Sequence, residues 1–102
     1  SFQETNQLSS NTFSLQQNRP NPFKGETVIE FMLPNAKKAK LSIQDMTGRI
    51  IKVIEGNFQQ GKNQVTLKSG DFPSTGIYLY TLRTEDLTAT KKIILSETVN
   101  RR

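Results

Sequence analysis

The chain has no cysteine, no histidine and no tryptophan in its 102 residues. Without cysteine it forms no disulfide, and without both Cys and His it offers no zinc site of the usual kind. Acid–base chemistry through an imidazole is excluded as well. No apolar run is long enough to cross a bilayer and no signal peptide is visible, so membrane insertion is not expected. A hydrophobic content of 33% supports one modest core and leaves too little for a second. The chain begins at Ser1 without a methionine and reads as a piece of something longer. The lack of cysteine identifies no compartment, because many exported proteins lack it too.

What is present is cationic but dispersed. The net charge is +5, carried in short groups at Lys37-Lys38-Lys40, Lys91-Lys92 and Arg101-Arg102. Useful nucleic-acid affinity needs ~6 to 10 phosphate contacts from one continuous basic surface, and no such stripe exists, so nucleic acid is not an expected partner. Catalysis would fall to carboxylates, as in glycosidases with two carboxyls ~5 to 9.5 Å apart in a cleft. The acids have simpler roles: Asp45 in a turn, Asp71 in a loop, Glu85 and Asp86 at a hairpin tip, Glu30 on a solvent face. No run of oxygen ligands resembles a calcium loop. The expectation is therefore a non-enzymatic protein with no catalytic residues, no metal and no cofactor.

Residues Ser1 to Thr12 are polar and read as a flexible linker. From Phe13 onward strand patterns recur between short turn clusters. Leu15 anchors a short first strand. Over Thr27 to Leu33, Ile29, Phe31 and Leu33 fall on one face and are assigned to the core. Pro34 ends that strand and Asn35-Ala36-Lys37 turns the chain. Lys38 to Asp45 points Leu41 and Ile43 inward. Asp45-Met46-Thr47-Gly48-Arg49 then forms a hairpin turn, in which the Asp45 carboxylate accepts turn N–H groups and Gly48 takes the left-handed conformation of a G1 bulge. Ile50 to Glu55 returns as a strand and Gly56-Asn57 begins a bend reaching Gly61. Lys62 to Lys68 contributes Val65 and Leu67.

A longer connection, Ser69 to Gly76, crosses between sheets with Phe72 as a plug. Ile77 to Thr84 places Tyr78, Tyr80 and Leu82 on one face, Glu85-Asp86 turns, and Leu87 to Ser96 closes the chain with Ile93 and Leu95 sealing the core. The fold class is all-β, an immunoglobulin-like antiparallel sandwich of about seven strands spanning residues 13–96, with a tail over 97–102.

Three segments need more than a fold. In Asn18-Arg19-Pro20-Asn21-Pro22-Phe23 each proline fixes φ, removes a donor and biases the preceding residue toward extended backbone, a rigid opening turn before an anchoring aromatic. Gly76-Ile77-Tyr78 is either a strand start with an inward tyrosine or part of a ligand surface. Lys91-Lys92 is either an electrostatic handle or a guard against edge-to-edge aggregation. The six phenylalanines and two tyrosines also admit an adhesive or carbohydrate-binding accessory module.

Taken together, Leu15 to Phe23, Leu41 to Arg49, Gly76-Ile77-Tyr78 and Lys91-Lys92-Ile93-Ile94-Leu95, in that order and spacing, resemble the type A C-terminal sorting domain of the type IX secretion system of Bacteroidetes. The resemblance implies export: a cargo domain lies N-terminal, reaches the periplasm, and is carried through the outer membrane to the surface or medium. It implies as partners an outer-membrane translocon, a shuttle protein and a sortase-like surface peptidase. That peptidase is expected to cut between Ser1 and Thr12 and to join the cargo to anionic lipopolysaccharide. Recognition is expected at Lys91, Lys92, Ile93, Ile94 and Leu95. Asn18, Pro20, Asn21, Pro22, Phe23, Asp45, Gly48, Arg49, Gly76 and Tyr78 are expected to be structural. Members usually stop soon after this last strand, whereas this chain continues through Ser96 to Arg102.

Overall fold

A computed structural model describes residues 12–97. Apart from Thr12 and Glu97, the expected linker over 1–12 and tail over 97–102 lie outside the described residues.

Seven strands form two antiparallel sheets: β1 (Ser14–Leu15), β2 (Glu26–Leu33), β3 (Lys37–Asp45), β4 (Ile50–Phe58), β5 (Gly61–Lys68), β6 (Gly76–Arg83) and β7 (Thr88–Leu95). One sheet has the order β1-β2-β5 and the other β4-β3-β6-β7. This is an immunoglobulin-like sandwich. Among the described residues no helix is long and apolar enough to cross a membrane.

The alternation in the sequence explains which faces meet. In β2, Thr27, Ile29, Phe31 and Leu33 are buried while Val28, Glu30 and Met32 are half-exposed. Ala39, Leu41 and Ile43 of β3, Tyr78, Tyr80 and Leu82 of β6, and Ile93 and Leu95 of β7 close on them from the other sheet. Burying a large apolar side chain contributes roughly 1.5 to 3 kcal/mol, so this layer supplies most of the driving force. The connection from β5 to β6 crosses between the sheets through a 3-10 turn at Ser69–Asp71. Phe72 follows it and packs edge-on against both Phe23, centroids 5.5 Å apart, and Tyr78, 4.9 Å apart.

Some boundaries differ from those read in the sequence. Lys37 belongs to β3 and not to the preceding turn, because it pairs with Phe58. β4 does not end at Glu55: Gly56 and Asn57 stay in register with Ala39 and Lys38, and the reversal falls at Gln59-Gln60. Cross-strand hydrogen bonding over a long β3 outweighs the turn preference of a Gly-Asn pair. In β5, Val65 is only half-buried while Asn63 is buried. Asn63 is satisfied locally, its Oδ1 accepting from the Gln59 amide at 3.2 Å and its Nδ2 donating to the Gln59 carbonyl at 2.9 Å.

The hairpin at Asp45 is built by side-chain acceptors. Asp45 Oδ1 accepts from the Thr47 amide at 2.9 Å, the Thr47 hydroxyl at 2.6 Å and the Arg49 amide at 3.0 Å. The Thr47 hydroxyl above all, with the two amides and Arg49, holds the Asp45 carboxyl below its ordinary pKa of 3.8. Gly48 has φ +96°, the left-handed region. The register then slips so that Ile43 opposes Lys52 and Gln44 opposes Ile50, leaving Ile51 as the extra residue of a bulge.

Candidate functional site

The C-terminal strand β7 is an edge of the four-stranded sheet, and its outer margin is partly covered by the proline segment. The two segments are some seventy residues apart in sequence. Phe23 pairs with Leu95 in parallel. The Phe23 amide donates to the Ile94 carbonyl at 2.9 Å, and the Ser96 amide donates back to the Phe23 carbonyl at 2.9 Å. Asn21 Oδ1 accepts the Ile94 amide at 2.9 Å. Upstream, Gln17 Nε2 donates to the Lys92 carbonyl at 2.6 Å. An asparagine between two prolines thus supplies by side chain an acceptor to the edge. The peptide bonds Arg19–Pro20 and Asn21–Pro22 are both cis.

A buried polar network holds the segment in place. Asn18 is 1% exposed. Its amide donates to Tyr80 Oη at 2.8 Å, and its Nδ2 donates to the Pro20 carbonyl and to Thr27 Oγ1, each at 3.0 Å. Thr27 Oγ1 donates to the same Pro20 carbonyl at 2.9 Å. Tyr80 Oη in turn donates to the Gln16 carbonyl at 2.7 Å. Burial pushes the Tyr80 phenol up from 10.0 to about 12, with the Asn18 amide pulling the other way. No buried side-chain nitrogen or oxygen among the described residues lacks a partner, which is the condition for such a network to stabilise and not to cost. Sequence reading missed Gln17, Thr27 and the hydroxyl of Tyr80 as members. Polar residues at core-facing strand positions were the available signal.

The expected recognition residues divide sharply. Ile93 and Leu95 are core, at 0% and 5% exposure. Ile94 is half-buried on the outer face, while Lys91 and Lys92 are exposed. Among the described residues neither lysine has an ion pair; the pairs are Lys37–Asp86, Arg49–Asp45, Lys52–Asp71 and Lys62–Glu30. The structural set is dispersed. Asp45, Gly48 and Arg49 lie at the β3–β4 hairpin, whereas Gly76 opposes Leu95 and Tyr78 opposes Ile93, beside the proline segment. Tyr78 points inward and donates to the Ser74 carbonyl at 2.5 Å.

Nothing in this arrangement resembles a stacking platform. Phe23, Phe31, Phe72, Tyr78 and Tyr80 are buried, and Phe13 and Phe58 are packed half-buried against the core. Among the described residues the adhesive reading finds no exposed aromatic to rest on. A hollow of about 280 Å³ at the opposite end of the outer face is lined by Lys37, Lys38, Lys40 and Arg83 together with Glu55 and Glu85. It is an open ionic surface. Among the described residues no group of three or more acidic side chains gathers in a way that could hold a metal ion.

Among solved structures the chain is similar to latent dimeric PorU from Porphyromonas gingivalis, with a TM-score of 0.65 and 15% identity, over 85% of this chain and 10% of that one. The chain thus spans about a tenth of PorU, and the likeness is one of fold. A weaker likeness joins it to a β-glucosidase from Listeria innocua, with a TM-score of 0.47 and 12% identity, over 85% of this chain and 16% of the enzyme. No curated protein matches. The profile of the secretion system C-terminal sorting domain matches residues 19–96, from the proline segment through the end of β7. The chain belongs to that family of sorting domains.

Proposed function

We propose that this domain is the C-terminal signal by which a type IX secretion system recognises a cargo protein, and that the signal is cut away once the cargo reaches the cell surface. Membership of the sorting-domain family, a signal-type family, supports a role in export through the outer membrane, read by the secretion machinery, with the cargo on the N-terminal side. That match over residues 19–96 is the observation that carries the reading.

In the finer reading, the cargo first reaches the periplasm. An outer-membrane translocon then recognises the folded sandwich at Lys91 to Leu95, and a shuttle protein delivers it to a sortase-like peptidase. The peptidase cuts between Ser1 and Thr12 and attaches the cargo to lipopolysaccharide. Support comes from chemistry and position. Lys91 and Lys92 are exposed and lack ion pairs among the described residues, and a polar stretch ahead of a compact domain is where a protease finds accessible backbone. Ile93 and Leu95, being core residues, serve by seating the strand and not by direct contact.

A reporter fused ahead of Ser1, in a host with a type IX system, tests both parts. Deleting Lys91 to Arg102 is expected to abolish surface display, and undiminished display would refute the role of that end. Mass spectrometry of mature surface cargo is expected to find a C-terminus within residues 1–12 and an added lipopolysaccharide mass. Cargo still carrying the sandwich would refute cleavage.

A further inference from the structure

Backbone direction along β7 separates two halves of its outer margin. The N–H and C=O of Ile94 both point away from β6, to Asn21 and Phe23. In a regular antiparallel strand alternate residues point their backbone groups the same way, and the β6–β7 register runs without a slip from Leu95 to Thr88. The groups of Lys92, Thr90 and Thr88 therefore also face outward. The Lys92 carbonyl is met by Gln17. The Lys92 N–H and both groups of Thr90 and Thr88 meet no backbone or side-chain partner among the described residues. The covered half ends where the exposed lysines begin.

The exposed charges along this open half, Lys91 and Lys92, are both cationic. Lys91 stands on the core side of the strand opposite Tyr80, and Lys92 on the outer face opposite Leu79. Arg83, opposite Thr88, and Lys40, next to Arg83, stand instead among acids, since Lys40 opposes Glu55 and Glu85 lines the same hollow. None of these four is in an ion pair among the described residues. Glu85 and Asp86 sit at the hairpin tip just before Thr88, where Asp86 is engaged by Lys37 at 3.4 Å.

We infer that Thr88 to Lys92 is a docking edge, to which an extended acidic segment of the secretion machinery adds as a fifth strand of the four-stranded sheet. This rests on the sorting-signal reading and deepens it by naming the mode of recognition. Added strands gain affinity from main-chain hydrogen bonds and specificity from the side chains at the margin. Here Lys91 and Lys92, on opposite faces, would meet acids on both faces of the incoming strand. The same lysines disfavour a second copy of β7, which would set like charges against each other.

The test uses residues 1–102 fused to a secreted reporter in a host with a type IX system. T90P removes the outward N–H of Thr90 and leaves the β6–β7 ladder intact, since Thr90 makes no ladder bond to β6. Surface reporter is expected to fall at least about tenfold in T90P and in the charge reversal K91E/K92E, with the purified variants melting as the parent does. V53P, which places proline on the outward side of the opposite edge strand β4, is expected to export normally. Normal export of T90P and K91E/K92E overturns the inference, as does loss in V53P with T90P intact, which would place docking on β4. If T90P fails to fold, T88P and K91E/K92E decide between the same outcomes. Export that persists after removal of the whole domain would instead sink the sorting-signal reading itself.

Discussion

The two edge strands of the four-stranded sheet are protected by different means. β4 protects itself: a bulge at Ile51 bends it, and Lys52 reaches across from the core side to Asp71 at 3.4 Å. An inward lysine and a bulge are both local devices against unwanted strand pairing. β7 depends on a distant part of the chain, the proline segment, and only over its second half. One edge is closed by its own sequence. The other is closed in part by a segment about seventy residues away and left open in part beside the exposed Lys91 and Lys92.

Substitutions can break or sharpen this contrast. The largest effect is expected from Phe23→Ala, which empties a site 1% exposed and removes the ring packed on Phe72. A loss of ~3 to 5 kcal/mol in urea denaturation is expected, and a loss under ~1 kcal/mol would mean that the segment does not anchor β7.

Gly48→Val probes the other edge. No atom lies within 4 Å of an added Cβ at Gly48, so any cost comes from the backbone at φ +96°. The expected loss is roughly 1 to 3 kcal/mol, with faster amide exchange in β4 and little change at Ile94. An unchanged denaturation midpoint would contradict the bulge geometry.

Tyr80→Phe strands the buried Asn18 amide and is expected to cost ~1 to 3 kcal/mol, with faster exchange at Asn18 and Ile94. It also has a pH signature. The Tyr80 phenol is raised from 10.0 to about 12, so the stability it contributes is complete below the unfolded value and lost as pH rises through the folded one. The parent should therefore weaken between about pH 10 and 12, and Tyr80→Phe should not show that component.

Asn21→Ala removes one acceptor from a half-buried amide and should cost ~0.5 to 1.5 kcal/mol, read most directly as faster exchange of the Ile94 N–H. Smallest is the acid limb. Asp45, Asp71 and Asp86 are held below 3.8 chiefly by the Thr47 hydroxyl, the Lys68 amide and the Thr84 hydroxyl, respectively. Their contribution is present above that value and lost as pH falls through the lower folded values. Asp45→Asn should flatten this limb slightly without altering exchange on β7.

Most of the sandwich was legible because its signals are local. The period of two in β2, the Asp-x-x-Gly turn and the inward tyrosines of β6 each depend on neighbours a few residues apart. Asn57 was misplaced where a partner strand decides, since pairing with Lys38 keeps it extended, and the burial of Asn63 beside Val65 and Leu67 on the inner face of β5 has no local signal. The candidate site was harder. Its motifs were visible as separate segments, at opposite ends of the chain, and sequence reading gave the proline turn a boundary role and the lysine strand a recognition role. Their contact runs through Asn21 and Ile94, a separation that no periodicity encodes.

The pairing of Phe23 with Leu95, and the return bond from Ser96, also set an order on synthesis. The Asn21 side chain and the Phe23 backbone groups have no partner along this edge until residues 94–96 have been made. A ribosome that stops early releases a chain in which Asn21 and Phe23 have nothing to hold. A sandwich closed in this way completes its edge only when its first and last segments, residues 21–23 and 94–96, are present together.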